Sequence, residues 1–224
     1  MKNLFVLIIL IFVLGIFPNT FAQEIITKGI VGGLNLANVT GDAEDTEFRF
    51  GFAFGGFLSF KISEQFSIRP EIYYSSKGFA VESEYSYSTT TYQYSSTSNG
   101  SLILNYFEIP ILGAVSITEN LNILAGPGID LFLNGETKMQ YSSVNKTYDG
   151  TQWITHTDNY KSEDDVESSD INSPGFGLIV GAEYTFKQFV FNARYSFGLT
   201  SIPDDNDNEF RHSVFQFMVG YCFK

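Results

Sequence analysis

The 224-residue sequence contains one cysteine, Cys222, one tryptophan, Trp153, and two histidines, His156 and His212. A lone cysteine excludes an intrachain disulfide, and no cysteine and histidine spacing resembles a structural zinc site. Charge is scarce as well, at 17% of residues against about 25% in ordinary soluble domains. It leans acidic, with a formal net charge of -12, so the basic face that a nucleic-acid partner would reward is missing. The G-x-S-x-G elbow, the H-E-x-x-H pair and the P-loop are all absent, and no cofactor or resident metal is expected. Aromatic residues, by contrast, are abundant, with 23 Phe and 13 Tyr.

The first 22 residues carry the pattern of an export signal. Lys2 supplies a positive start, Leu4 to Phe17 is apolar apart from Gly15, and Thr20-Phe21-Ala22 offers small residues for a peptidase. The apolar run is shorter than the roughly 20 residues of a membrane-crossing helix and ends in Pro18-Asn19-Thr20. Residues 1–22 are therefore expected to be a removed signal peptide, and 23–224 a single domain. No cysteine follows the run to take a lipid anchor.

Beyond residue 22 the repeating feature is alternation. From Arg49 to Lys61, Phe50, Phe52, Phe54, Leu58 and Phe60 alternate with Gly51, Ala53, Gly55, Phe57 and Ser59. Period two is the signature of a strand with two unlike faces. Residues 66–77, 189–199 and 214–223 repeat it, and weaker versions occupy about 27–37, 102–115, 121–133 and 174–186. That makes eight strands, and no stretch reads as a helix.

The connections alternate in length. Ile62 to Gln65, Ser116 to Asn120 and Lys187-Gln188 are short enough for hairpins, whereas 38–48, 79–101, 134–173 and 200–210 are long, polar and acidic. This pattern predicts an all-β, eight-stranded antiparallel up-and-down transmembrane β-barrel, with short periplasmic turns at one end and long extracellular loops at the other. Closure removes the edges that eight aromatic strands would otherwise expose.

Alternation alone does not say which face is inside. A soluble lipocalin-like carrier would point its rings inward, and an outer-membrane barrel would point them at lipid. The polar face favours the membrane form, because it combines small glycines with charges of both signs. Arg49, Arg69 and Arg194 face Glu71, Glu108, Asp130 and Glu183 in this reading, as a lumen charge network that leaves no buried charge unpaired. Rings near strand ends, such as Phe48, Phe66, Phe189, Tyr195 and Phe223, fit interfacial girdles.

Four segments carry a family resemblance: Lys28-Gly29-Ile30-Val31-Gly32-Gly33-Leu34-Asn35, Arg69-Pro70-Glu71-Ile72-Tyr73-Tyr74-Ser75-Ser76-Lys77-Gly78, Tyr106-Phe107-Glu108-Ile109-Pro110 and Ala125-Gly126-Pro127-Gly128. In order and spacing they resemble the PorT-like outer-membrane β-barrel family across nearly the whole chain after residue 22. The resemblance implies an eight-stranded barrel in the outer membrane of Bacteroidota-type bacteria, with the namesake linked to protein secretion to the cell surface. The sequence departs from that pattern in its long third loop and in setting the aromatic assembly signal at Phe223, one short of Lys224.

Pro70, Pro110 and Pro127 fall inside expected strands, where each removes a ladder hydrogen bond, so bulges or bends are expected there. Counting across the 116–120 turn sets Glu108 roughly opposite Asp130, with Arg49 or Lys77 to complete the network. Eight strands leave a lumen just filled by side chains, so steady conduction is not expected. The acidic runs 163–167 and 204–209 lack EF-hand spacing and read as solvated loop rather than Ca²⁺ sites, although divalent ions could bridge them to lipopolysaccharide. The Ser/Thr/Tyr-rich tract 83–101, with Tyr85, Tyr87, Tyr92 and Tyr94, reads as extended strands standing above the membrane in preference to an adhesive surface. His156 and Asp158 are two residues apart, too little to argue for hydrolysis. The expected function is that of a non-enzymatic, membrane-anchored surface or assembly component. Outer-membrane lipid and lipopolysaccharide surround it, and loops 79–101 and 134–173 meet a protein or glycan. A small-solute or ion channel is the rival, and a soluble lipocalin-like ligand carrier the second.

Overall fold

The computed structural model describes residues 25–43, 45–204 and 209–223, which leaves the expected leader outside the described residues. Ten strands follow in order: β1 Ile25–Gly41, β2 Thr46–Glu47, β3 Arg49–Lys61, β4 Phe66–Ser88, β5 Tyr92–Ser116, β6 Leu121–Tyr148, β7 Trp153–Val166, β8 Gly175–Phe186, β9 Phe189–Gly198 and β10 Phe210–Phe223. Eight of them, all but the short β2 and the late β7, each pair antiparallel with two others of the eight. The β1–β10 pairing, from Lys28 opposite Phe223 to Gly41 opposite Phe210, closes the ring. A closed ladder satisfies every barrel strand internally, which lipid requires because it offers no hydrogen bonds.

The faces sort as a membrane barrel demands. Phe50, Phe52 and Phe54 point outward, with Phe50 70% exposed, while Ala53 and Phe57 between and beyond them are buried inside. Ile30, Leu34, Leu178, Val180, Phe217 and Val219 continue the outward apolar belt around the ring. That outward direction removes the lipocalin-like alternative, in which these rings would fill the interior.

The bulges expected at the prolines are absent. The proline sites do not shift the register: Pro70 faces Ile111, Pro110 faces Gly128 and Pro127 faces Leu178 in continuous alignment with the pairs on either side. Beside Pro70 and Pro110 the pairing lapses for a few residues and then resumes unshifted. The bulge of this region lies elsewhere. Asn105 faces Asn134 and Tyr106 faces Phe132, which makes Leu133 the extra residue of β6.

The long connections follow the expectation in one segment and depart from it in another. Residues 83–101 form extended strands above the barrel, as their Ser/Thr/Tyr-rich pattern leads one to expect, whereas most of 134–173, expected as loop, is strand as well: β4, β5 and β6 run past the barrel rim, and β7 pairs with the far half of β6 from Tyr148–Trp153 to Gly135–Val166. Their serines, threonines and tyrosines keep the period of two while losing hydrophobicity, and β-branched and aromatic residues suit a pleated surface. The result is a four-stranded sheet standing above the barrel. It departs from the rim at Gly78, whose φ of +131° and whose Cβ position, 1.9 Å from Leu102 O, admit no side chain.

The mouth beneath this sheet is covered. Ile171 bridges to Pro203, Asn172 N donates to Ile202 O at 2.9 Å and Asp204 N to Asp170 O at 3.0 Å. Ile171 and Ile202 are buried with Val39, Leu104 and Tyr106, so the segments before β8 and after β9 form an apolar lid on the lumen.

Candidate functional site

Below the lid the lumen holds two layers of buried charge. The layer nearer the periplasmic turns is built by β4, β8 and β9, whose inward positions carry Arg69, Glu71, Glu183 and Arg194. Arg69 Nε lies 2.6 Å from Glu71 Oε1, and its Nη1 pairs with Glu183 Oε2. Arg194 takes Glu71 in a two-pronged grip, Nη1 to Oε2 at 2.5 Å and Nη2 to Oε1 at 2.9 Å, while its Nε donates to Asn192 Oδ1 at 2.7 Å. Asn192 and Asn122 donate in turn to Glu183 at 3.3 and 3.4 Å. The Arg69 guanidinium lies over the Phe57 ring, 3.6 Å from its centroid. Two cations and two carboxylates leave this layer neutral. The planar, forked guanidinium is what allows one glutamate to serve two arginines.

The outer layer is unbalanced. Glu108 and Asp130 are cross-strand partners on β5 and β6, and Lys77 of β4 reaches both, 3.0 Å to Glu108 Oε2 and 2.8 Å to Asp130 Oδ2. Gln216 Nε2 donates to Glu108 Oε2 at 3.5 Å. Between this layer and the lid, Tyr106 meets His212 edge to face, with its hydroxyl 3.1 Å from His212 Nε2.

Among the candidate lumen residues, Arg69, Glu71, Glu183 and Arg194 are brought together in one layer and Glu108 and Asp130 in the other. Arg49 joins neither. Its Nη1 donates to Ser76 Oγ at 3.4 Å and to Lys77 O at 3.2 Å, at the first residue of β3 and beside the rim. Asn35, Asn192 and Gln216 were not singled out by sequence, because buried amides carry no charge signal. Their inward position on alternating strands was the available clue.

The projecting sheet also has two unlike faces. Tyr87, Tyr94, Asn145 and His156 are register partners across its four strands, followed by Tyr85, Ser96, Ser143 and Asp158, then Ser83, Ser98, Tyr141 and Tyr160. This face continues the lumen side of the barrel, because the next rows lead through Leu102 and Leu104 to the lid. The Tyr94 and Tyr141 hydroxyls are 2.5 Å apart, Tyr92 donates to Asn145 Oδ1 at 2.7 Å, and Tyr85 and Tyr94 rings lie 6.0 Å apart. Tyr85, Tyr87 and Tyr160 are more than half exposed. The opposite face carries Glu82, Glu84, Lys138, Gln140 and Lys161.

His156 Nε2 is 3.1 Å from Asp158 Oδ1, both open to solvent on one face of β7. Of the acidic runs, 163–167 ends β7 and 204–209 lies largely outside the described residues. Among the described residues no group of three or more His, Cys, Asp or Glu is placed to hold a metal ion.

The tip of the β6–β7 hairpin is held by Asp149, whose Oδ1 accepts from Gln152 N and Thr151 N, both at 2.8 Å. These amides hold the Asp149 carboxyl below the usual carboxylate range. The contribution to tip order is complete above that range and is lost as pH falls through the lowered value. The protection factors of the Thr151 and Gln152 amides, taken against the intrinsic exchange rate at each pH, are expected to fall on that acid limb and to be low at all pH in Asp149→Ala. Unchanged protection in the variant would remove the cap from this account.

The sequence model of the family described as outer membrane protein beta-barrel domain matches residues 21–204. No curated protein matches the chain. Among solved structures, the chain is similar to Ail, the attachment invasion locus protein of Yersinia pestis, at 14% identity and a TM-score of 0.44, covering 88% of this chain and 98% of that one. It is similar to Neisserial surface protein A at 10% identity and a TM-score of 0.36, over 88% and 97% of the two chains. Acinetobacter baumannii CarO2 matches at 11% identity and a TM-score of 0.36, over 90% and 100%. The matched span includes all barrel strands except β10, and the outward apolar belt gives it a lipid-facing surface. This chain belongs to the outer membrane protein β-barrel domain family and resides in the outer membrane.

Proposed function

We propose that the protein is a non-enzymatic surface component, in which the barrel is the anchor and the tyrosine-bearing face of the projecting sheet binds an extracellular protein or glycan. The observation that carries this reading is the pairing of an exposed, ordered tyrosine face outside with a lumen blocked by two charge layers and an apolar lid. Tyrosine rings present large, rigid contact area with a polar tip at small entropic cost. The resemblance to the PorT-like family extends the reading to an accessory role in protein secretion. Residues 1–22 act as the export signal, so that a mass measured on the membrane-isolated protein corresponds to a chain starting at Gln23.

The test uses the full chain in outer membranes. Cells displaying it are applied to arrayed glycans and arrayed extracellular proteins, alongside a Tyr85→Ser, Tyr87→Ser, Tyr160→Ser variant. These residues are on a solvated surface, so the variant keeps the heat-modifiable gel band of the barrel and loses at least tenfold in binding. Equal binding by the two proteins overturns the assignment of the face. In planar bilayers the protein gives no steady current, and a sustained current would put a channel in place of an anchor.

A further inference from the structure

The outer lumen layer has one cation, Lys77, for two carboxylates, Glu108 and Asp130, and so a formal charge of -1. It also contains three acceptor oxygens without a donor among the described residues: Glu108 Oε1, Gln216 Oε1 and Asn35 Oδ1. All three belong to residues at most 1% exposed. Their orientation is fixed by what the other end of each side chain does. Gln216 spends its amide nitrogen on Glu108 Oε2 at 3.5 Å. Asn35 spends its own on Ser75 Oγ and Ser76 O, both at 3.0 Å. Lys77 lies on Glu108 Oε2 at 3.0 Å. Asn35 and Gln216 are register partners on β1 and β10, so their free oxygens belong to one level of the lumen.

Buried acceptors with no donor, in a layer of net negative charge, are poorly solvated as they stand. The ligand chemistry that answers both deficits at once is a hard cation. We infer that the outer lumen layer binds an alkali cation, Na⁺ or K⁺, held by Glu108 Oε1, Gln216 Oε1 and Asn35 Oδ1. One positive charge brings the layer to neutrality. Ca²⁺ would overshoot it by one charge. Lys77 remains the fixed partner of Asp130, and the alkali ion takes the oxygens the ammonium does not reach. The lid above and the arginine layer below make it a trapped, structural ion rather than a conducted one. This inference does not rest on the function proposed for the tyrosine face.

The test is refolding of the full chain into detergent micelles at equal ionic strength in NaCl, KCl or N-methyl-D-glucamine chloride, with the urea midpoint read from the heat-modifiable band. An ion that binds the folded barrel alone raises its stability by mass action. The midpoint should rise with NaCl or KCl concentration and stay flat in the organic chloride. In Glu108→Gln the alkali dependence should vanish. Gln216→Leu, which keeps the carboxylate, should need at least tenfold more salt for the same rise. A midpoint equal in all three chlorides for the unaltered protein overturns the site without recourse to any variant. Crystals grown with thallium(I) should show an anomalous peak between Glu108 and Gln216, and its absence at full thallium exchange would overturn it too.

Discussion

Replacing Glu71 with alanine is expected to cost about 3–5 kcal/mol of unfolding free energy, the range for removing one partner of a buried ion pair. The size follows from what Glu71 serves. Its two oxygens are the anchors for Arg194 and one of the two for Arg69, and the side chains involved are at most 2% exposed. Without it, Arg194 retains Asn192 and the Tyr73 hydroxyl, the latter at 3.4 Å, and the layer carries an uncompensated positive charge. Glu71→Gln should fare better, because its amide oxygen still accepts from one guanidinium, yet the charge imbalance persists. Replacing all four charged residues with apolar ones of similar volume should be far milder than the single change, since no charge is left stranded. Equilibrium urea unfolding in micelles measures this, and a loss below about 1 kcal/mol for Glu71→Ala would contradict the buried-pair account.

Lys77→Met is the second large effect, again about 3–5 kcal/mol. Here the damage is repulsion as well as loss. Glu108 and Asp130 are direct cross-strand partners, and like charges in that position destabilise a sheet even in water. Low local polarity makes the repulsion stronger still. Adding Asp130→Asn to Lys77→Met should therefore recover much of the loss, although Asp130→Asn alone is destabilising. The sign of this coupling is the measurement. Strictly additive effects of the two changes would show that Lys77 does not work through Asp130.

Sequence legibility varied along the chain for physical reasons. The membrane-crossing halves of β3, β9 and β10 are readable because lipid on one side and a crowded lumen on the other force a strict alternation. The juxtaposition of Glu108 and Asp130 was readable too, since a four-residue turn fixes the hairpin register. Pro70, Pro110 and Pro127 misled, because the barrel omits a few bonds beside two of them rather than inserting a residue. The projecting strands were readable in part: the Ser/Thr/Tyr tract 83–101 reads as extended strand, whereas 134–173 reads as loop. A segment such as 153–166 has water on both faces, so alternation of hydrophobicity disappears while strand geometry does not. Which carboxylate each lumen cation selects depends on strand tilt and side-chain reach. Arg49 shows the point: it shares the inward parity of its strand but begins one level too high to pair with the lumen carboxylates.

The length of β6 has a mechanical consequence. Its 28 residues span roughly 95 Å at about 3.4 Å per residue, and a membrane crossing uses only about 9–11 of them. The remainder continues from the anchor through the Leu133 bulge as one unbroken strand. Ladder hydrogen bonds run across the strands, so a pull on the 149–152 tip, directed away from the cell, loads the β5–β6 and β6–β7 ladders in shear. Bonds in shear share the force together, whereas bonds in a peeled hairpin break one at a time. A surface protein built in this way resists detachment by drag better than one that presents the same residues on a flexible loop.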